Sequence, residues 1–230
     1  MATKKETAKV EVMSVELVKV PITIIGTSPL ICHAWSAKAK REMLEKQMGI
    51  AKKRKHEIKI PENDFISSLN WLTPMPELGA DREEAKKNFD EAIKTGAKFG
   101  FHIGGIKQSF IKGASRSGMD VKMTELRGSF FLKGMGEYSN ADYAEIVTPN
   151  PPRMREDMVM VGGMSKAADL RYRAQFDVWE IPLMMIVNKN GKYTVEQLLA
   201  TINAGGFSTG IGEWRPEKDG QYGMYVLKKQ

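Results

Sequence analysis

A single cysteine, Cys32, is all the chain holds, so no internal disulfide is possible, and its three histidines, His33, His56 and His102, show no spacing that resembles a zinc site. Long apolar runs are missing as well. Nothing approaches the roughly 18 consecutive apolar residues of a membrane-spanning helix, and the opening MATKKETAKVEV carries charges where a signal peptide needs its apolar region. The nucleotide signatures are absent too: GxxxxGK(S/T) does not occur, and Arg215 stands where GIGEWR would need the third glycine of GxGxxG. These absences predict a cytoplasmic protein with no membrane partner, no metal, no cofactor and no assigned catalytic residue. Glu156 and Asp157 are adjacent, which in a strand puts them on opposite faces, and an exposed loop is the simpler reading of them.

What is abundant is positive charge. The 230 residues carry a formal net charge of +7, which favours a polyanionic partner. Nine cations between Ser36 and Lys59, among them Lys38, Lys40, Arg41, Lys52, Lys53, Arg54 and Lys55, stand against only Glu42, Glu45 and Glu57. A second basic group, Arg153, Arg155, Lys166, Arg171 and Arg173, lies in the least regular part of the chain, where binding loops concentrate.

Residues 1–12 read as a mobile tail and 13–230 as one domain. Val15 to Gly26 alternates and then turns continuously apolar, the pattern of a strand. Ser36 caps a predicted helix with Met43, Leu44 and Met48 as its apolar stripe. Further helices are expected at PENDFISSLNWL, at DREEAKKNFDEAIK and around Phe110, Ile111 and Ala114. Arg127–Gly134 and Arg173–Val187 read as strands, with Pro182 implying a bulge or an edge position. AEIV and MVMV are strand candidates in the irregular stretch from Gly136 to Arg173. Thr194 and Gln197 match a capping box that opens a helix ended by Gly205 and Gly206, and MYVL is the last strand. This order predicts an α+β fold on a ferredoxin-like βαββαβ frame.

Before the last strand, STGIGEWRPEKDGQYG is unusually rich in glycine and aromatics. Asp219-Gly220 is a hairpin-turn dipeptide, so a plain turn explains part of it. Gly210 and Gly212 would also let backbone amides approach an anion, with Trp214 and Tyr222 as stacking faces and Arg215 as a phosphate fork. The residues leave both readings open. His33 beside Cys32 makes a Cys-His couple conceivable, although sequence neighbours rarely have useful mutual geometry.

ITIIGTSPLICH, DLRYRAQFDVWE and TINAGGFSTGIGEWRPEKDGQYGMYVL together resemble the RAMP superfamily of CRISPR effector proteins, in particular its backbone-subunit branch and uncharacterised bacteriophage relatives. The resemblance implies a modified RRM or ferredoxin-like core with helical and thumb-like insertions, here at about 36–118 and 136–173. It places Gly205–Gly223 as the glycine-rich loop between the last helix and the last strand. It implies a non-enzymatic protein that binds single-stranded DNA or RNA and oligomerises along it as a filament, in the host cytoplasm if phage-encoded. Two other readings stay open: a metal-independent endoribonuclease using His33, and a phage protein that imitates an effector subunit. The paired aromatics of an ordinary RRM are lacking, so backbone-led binding suits the residues better than stacking on the sheet.

Overall fold

A computed structural model describes residues 15–50, 58–161 and 167–229. In chain order the elements are β1 (Leu17–Gly26), β2 (Leu30–Cys32), α1 (Ala37–Gln47), α2 (Pro61–Ser67), α3 (Arg82–Lys94), β3 (Gly100–His102), α4 (Ile103–Arg116) and α5 (Met123–Ser129). They continue with β4 (Phe130–Gly134), β5 (Tyr143–Glu145), β6 (Arg153–Val161), β7 (Ala167–Phe176), β8 (Glu180–Asn188), α6 (Val195–Ser208) and β9 (Tyr225–Leu227). A short 3-10 turn, Pro216–Lys218, precedes the last strand.

The main sheet has the order β4-β8-β1-β9, with every pair antiparallel. Taken with α4 and α6, the chain path β1-α4-β4-β8-α6-β9 is the βαββαβ ferredoxin-like frame, and the fold is α+β as expected. β8 shows why. Its Ile181, Leu183, Met185 and Val187 are buried at every second position, which seats one face of the sheet on the core. Fully burying each such side chain contributes about 1.5–3 kcal/mol. Two further sheets hang on the frame, β2-β7-β6 and the pair β3-β5. The stretch 36–118 therefore contains a frame element, α4, as well as added helices.

Several elements differ from the sequence reading, each for a physical reason. Arg173–Val187 is not one strand: it breaks at Asp177–Trp179, and its halves join different sheets. The buried apolar positions change parity there, from Ala174 and Phe176 to Trp179, Ile181 and Leu183, and the Trp179 indole donates to the Ser28 carbonyl at 2.9 Å. Arg127–Ser129 belong to α5, so β4 starts only at Phe130. Pro182 lies in an interior strand without a bulge: its carbonyl accepts from the Met135 N–H at 3.1 Å just past the end of β4, so its missing N–H faces that side and costs no bond to β1. Gly205 and Gly206 do not end α6. They lie inside it because α4 and β9 pack closely there: a Cβ on Gly113 of α4 would sit 2.2 Å from the Gly205 Cα, and one on Gly206 would sit 1.8 Å from the carbonyl oxygen of Tyr225 in β9. The Thr194–Gln197 capping box is formed. Ser36 caps α1 as expected, yet α1 buries no residue, and Met43, Leu44 and Met48 are all exposed.

Candidate functional site

The glycine-rich loop is a tight knot of backbone. Ile211 N–H donates to the Gly223 carbonyl, Tyr222 N–H to Trp214, Glu213 N–H to Ile31 and Gly223 N–H to Pro29, all at 2.8–3.0 Å. The expected Asp219-Gly220 hairpin turn does not form; Asp219 instead takes a left-handed conformation after the 3-10 turn. A Cβ on Gly220 would lie 1.8 Å from the Trp214 oxygen, so the chain's approach to itself demands glycine there. Gly210 N–H is spent on the Gly205 carbonyl at the end of α6. Gly212 N–H has no partner among the described residues.

Arg215 is held inside this knot. Its Nε and Nη2 donate to Glu217 Oε2 at 3.0 and 2.9 Å, and Nη1 donates to the Gly212 carbonyl at 2.9 Å. Lys112 and Arg116, from α4, reach the other oxygen of Glu217 at 2.7 and 3.4 Å. Burial pushes the Glu217 carboxyl up, but the hydrogen bonds from Lys112 and Arg215 outweigh it and hold the group below the usual carboxylate range. Trp214 is partly exposed on the outside of the loop.

The arginines of the β6–β7 hairpin are likewise paired. Arg153 binds Asp177 at 2.9 Å and Arg171 lies 3.5 Å from Asp169. Arg155 donates to Asp157 at 2.7 Å, to Gln175 at 3.2 Å and to the Tyr222 hydroxyl at 2.8 Å, with its guanidinium 4.6 Å from the Tyr222 ring centroid. Arg173 is buried and binds the second oxygen of Asp157 at 3.1 Å. Asp157 is therefore no exposed loop residue: it is buried in β6 between two guanidinium groups, because two cations on neighbouring strands need a shared anion. Lys52, Lys53, Arg54 and Lys55 lie outside the described residues, as do residues 1–12.

Arg173 also settles the chemistry of His33. Its Nε–H donates to His33 Nδ1 at 2.9 Å, and an arginine can only donate, so Nδ1 is an acceptor and the neutral ring carries its proton on Nε2. Burial of the ring's inner edge, followed by the Arg173 charge, holds His33 below the ordinary histidine range, against the smaller pull of Glu213. A ring of this tautomer is a fixed donor. It has no free lone pair for a general base, and the imidazolium that a general acid needs is disfavoured. Cys32 faces the other way, into the core, where burial pushes its thiol up to about 12. The two make no catalytic couple, and no group of three or more metal-ligating side chains occurs among the described residues.

His33 lines a cavity of about 570 Å³ between the glycine-rich loop, α4 and the approach to α1. Its wall also carries Trp35, Lys40, Asn70, Gln108, Gly212 and Thr209, whose buried hydroxyl has no hydrogen-bond partner among the described residues. A second hollow of about 1100 Å³ shares Trp35, Lys40 and Asn70 with the first and continues between α1 and α2 past Lys59 and Arg171. Together they make one trough along α1. Of the residues singled out in the sequence, the trough gathers Lys38, Lys40, Arg171, Gly210, Gly212 and Arg215. Arg153, Arg155, Arg173, Trp214 and Tyr222 are not on its wall, and Arg41, on α1, is not either. Trp35, Asn70, Gln108 and Lys112 were missed; Trp35, an aromatic directly before the basic helix, was the one readable signal.

No protein-family model matches the chain, and no curated protein matches it. Among solved structures, the crystal structure of Cmr6 from Pyrococcus furiosus is similar at a TM-score of 0.35 and 11% identity, over 94% of this chain and 100% of that one. At that level the likeness carries no inference. No helix among the described residues is long and apolar enough to cross a membrane.

Proposed function

We propose that the chain is a non-enzymatic protein that binds single-stranded nucleic acid, DNA or RNA, along the trough beside α1, and that copies assemble along the strand. The observation that carries this reading is the trough itself: Lys40 has no acidic partner among the described residues, and it shares the wall with the exposed Trp35 and the fixed donor His33. A charge of +7 supplies the long-range attraction. The βαββαβ frame with a glycine-rich loop before the last strand supports the RAMP resemblance and, with it, head-to-tail assembly. The β6–β7 hairpin, with Met158 exposed on its outer part, fits the thumb that separates nucleotides in such proteins. The site geometry opposes the endoribonuclease reading, since His33 offers neither a base nor an acid.

The experiment is to purify the protein, compare absorbance at 260 and 280 nm, identify any strand that accompanies it, and follow light scattering as a long single strand is added. Co-purifying nucleic acid and scattering that grows with strand length are expected. Protein free of nucleic acid, with no binding at low salt, would contradict the proposal and leave the reading of a protein that imitates an effector subunit.

A further inference from the structure

The cavity between the glycine-rich loop and α4 is walled by two kinds of polar group. One kind is already satisfied: Lys112 and Arg215 are closed on Glu217, and Glu213 lies beside Arg173 at 3.9 Å. The other kind has no partner among the described residues and includes the side-chain amides of Asn70 and Gln108, the buried Thr209 hydroxyl and His33 Nε2. A phosphate suits such a wall poorly, because the carboxylates of Glu213 and Glu217 line it and two of its three lysine and arginine cations, Lys112 and Arg215, are engaged, which leaves Lys40 alone at the side next to α1. Uncharged groups that both donate and accept, next to an exposed indole, match the edge and the face of a nucleobase. The volume of about 570 Å³ falls within the range of about 300–1,000 Å³ of small-ligand sites.

From this we infer that the cavity is a nucleobase subsite: one base of the bound strand leaves the stack, rests against Trp35 and presents an acceptor atom to His33 Nε2–H. The strand's backbone passes outside, along Lys40. The inference rests on the proposed strand binding and adds to it a contact that reads a base. Because the Nδ1 acceptor role of His33 is fixed by Arg173, the donor at Nε2 is fixed too, and a base that offers only a hydrogen-bond donor there is disfavoured. Asn70 and Gln108 can each serve either side of the base edge, so they hold it without narrowing the choice.

The test is a fluorescence-anisotropy titration of the whole protein with two labelled oligonucleotides of equal length and charge, one of thymidines and one entirely abasic. The thymidine strand is expected to bind on the order of tenfold tighter or more. Gln108→Ala, an exposed position, and His33→Ala should each narrow that gap, with thermal melts confirming that the variants fold. Equal binding of the two strands would overturn the subsite while leaving strand binding intact. Binding of neither strand would overturn both. A gap that neither variant narrows would place base recognition elsewhere and overturn the subsite.

Discussion

The β6–β7 hairpin and α1 are both basic, but they hold their charge in different ways. On the hairpin Arg153, Arg155, Arg171 and Arg173 each close on a carboxylate, and Arg173 and Asp157 are buried. On α1, Lys40 and Arg41 have no acidic partner among the described residues, and the helix buries nothing. The first set organises the protein and the second is available to a ligand. A count of cations in a sequence does not separate the two, because it registers charge without the anions that the fold brings beside it.

That contrast breaks most visibly at Asp157. Its replacement by alanine strands a buried arginine and should cost about 3–5 kcal/mol of stability in a urea denaturation series. A loss below about 1 kcal/mol would mean that the hairpin arginines do not depend on their acids, and the distinction would fall. Arg215 tests the same idea within the glycine-rich loop. Because Lys112 and Arg116 remain on Glu217, Arg215→Ala should cost only about 1 kcal/mol and leave strand affinity near the wild-type value. A tenfold or greater loss of affinity with unchanged stability would instead make Arg215 a phosphate ligand.

The smallest effect belongs to His33. Its folded pKa lies below the ordinary value of about 6.5, so as pH falls the unfolded chain takes up the proton first. Stability is therefore whole above about pH 6.5 and declines as pH falls towards the folded value. Arg173, Glu213, Arg171 and Asp64 are the charged groups that face the ring. Melting temperatures between pH 5 and 8 should fall more steeply on the acid side for the wild type than for His33→Gln. Parallel curves would show that burial and the Arg173 charge do not hold the ring neutral.

Much of the frame was legible in the sequence because its signals are local. The alternation of β1, the Ser36 and Thr194 caps and the order of strands and helices all arise within a few residues of one another. The parity change at Asp177–Trp179 was also written there, but a continuous run of good strand residues hid it. What sequence could not supply was tertiary. Gly205 and Gly206 look like a helix stop until Gly113 is brought against the first and Tyr225 against the second. Asp157 looks solvated until two arginines converge on it, and His33 has no visible partner until Arg173, far along the chain, reaches its Nδ1. Of the site, the basic helix and the glycine-rich loop were foreseen. The cavity between them was not, since Asn70 and Gln108 are ordinary residues made notable only because their side-chain amides have no partner among the described residues.

The most direct test of the central claim is a salt titration of strand binding for the wild type and for a Lys40→Glu, Arg41→Glu double variant. The wild type should bind tightly at about 50 mM salt and lose affinity steeply by about 200 mM, as displaced counterions require. The double variant should fold normally, bind on the order of tenfold more weakly to strands of any sequence, and show a shallower salt slope. Affinity and slope identical in the two proteins would contradict the assignment of α1 as the face that meets the strand.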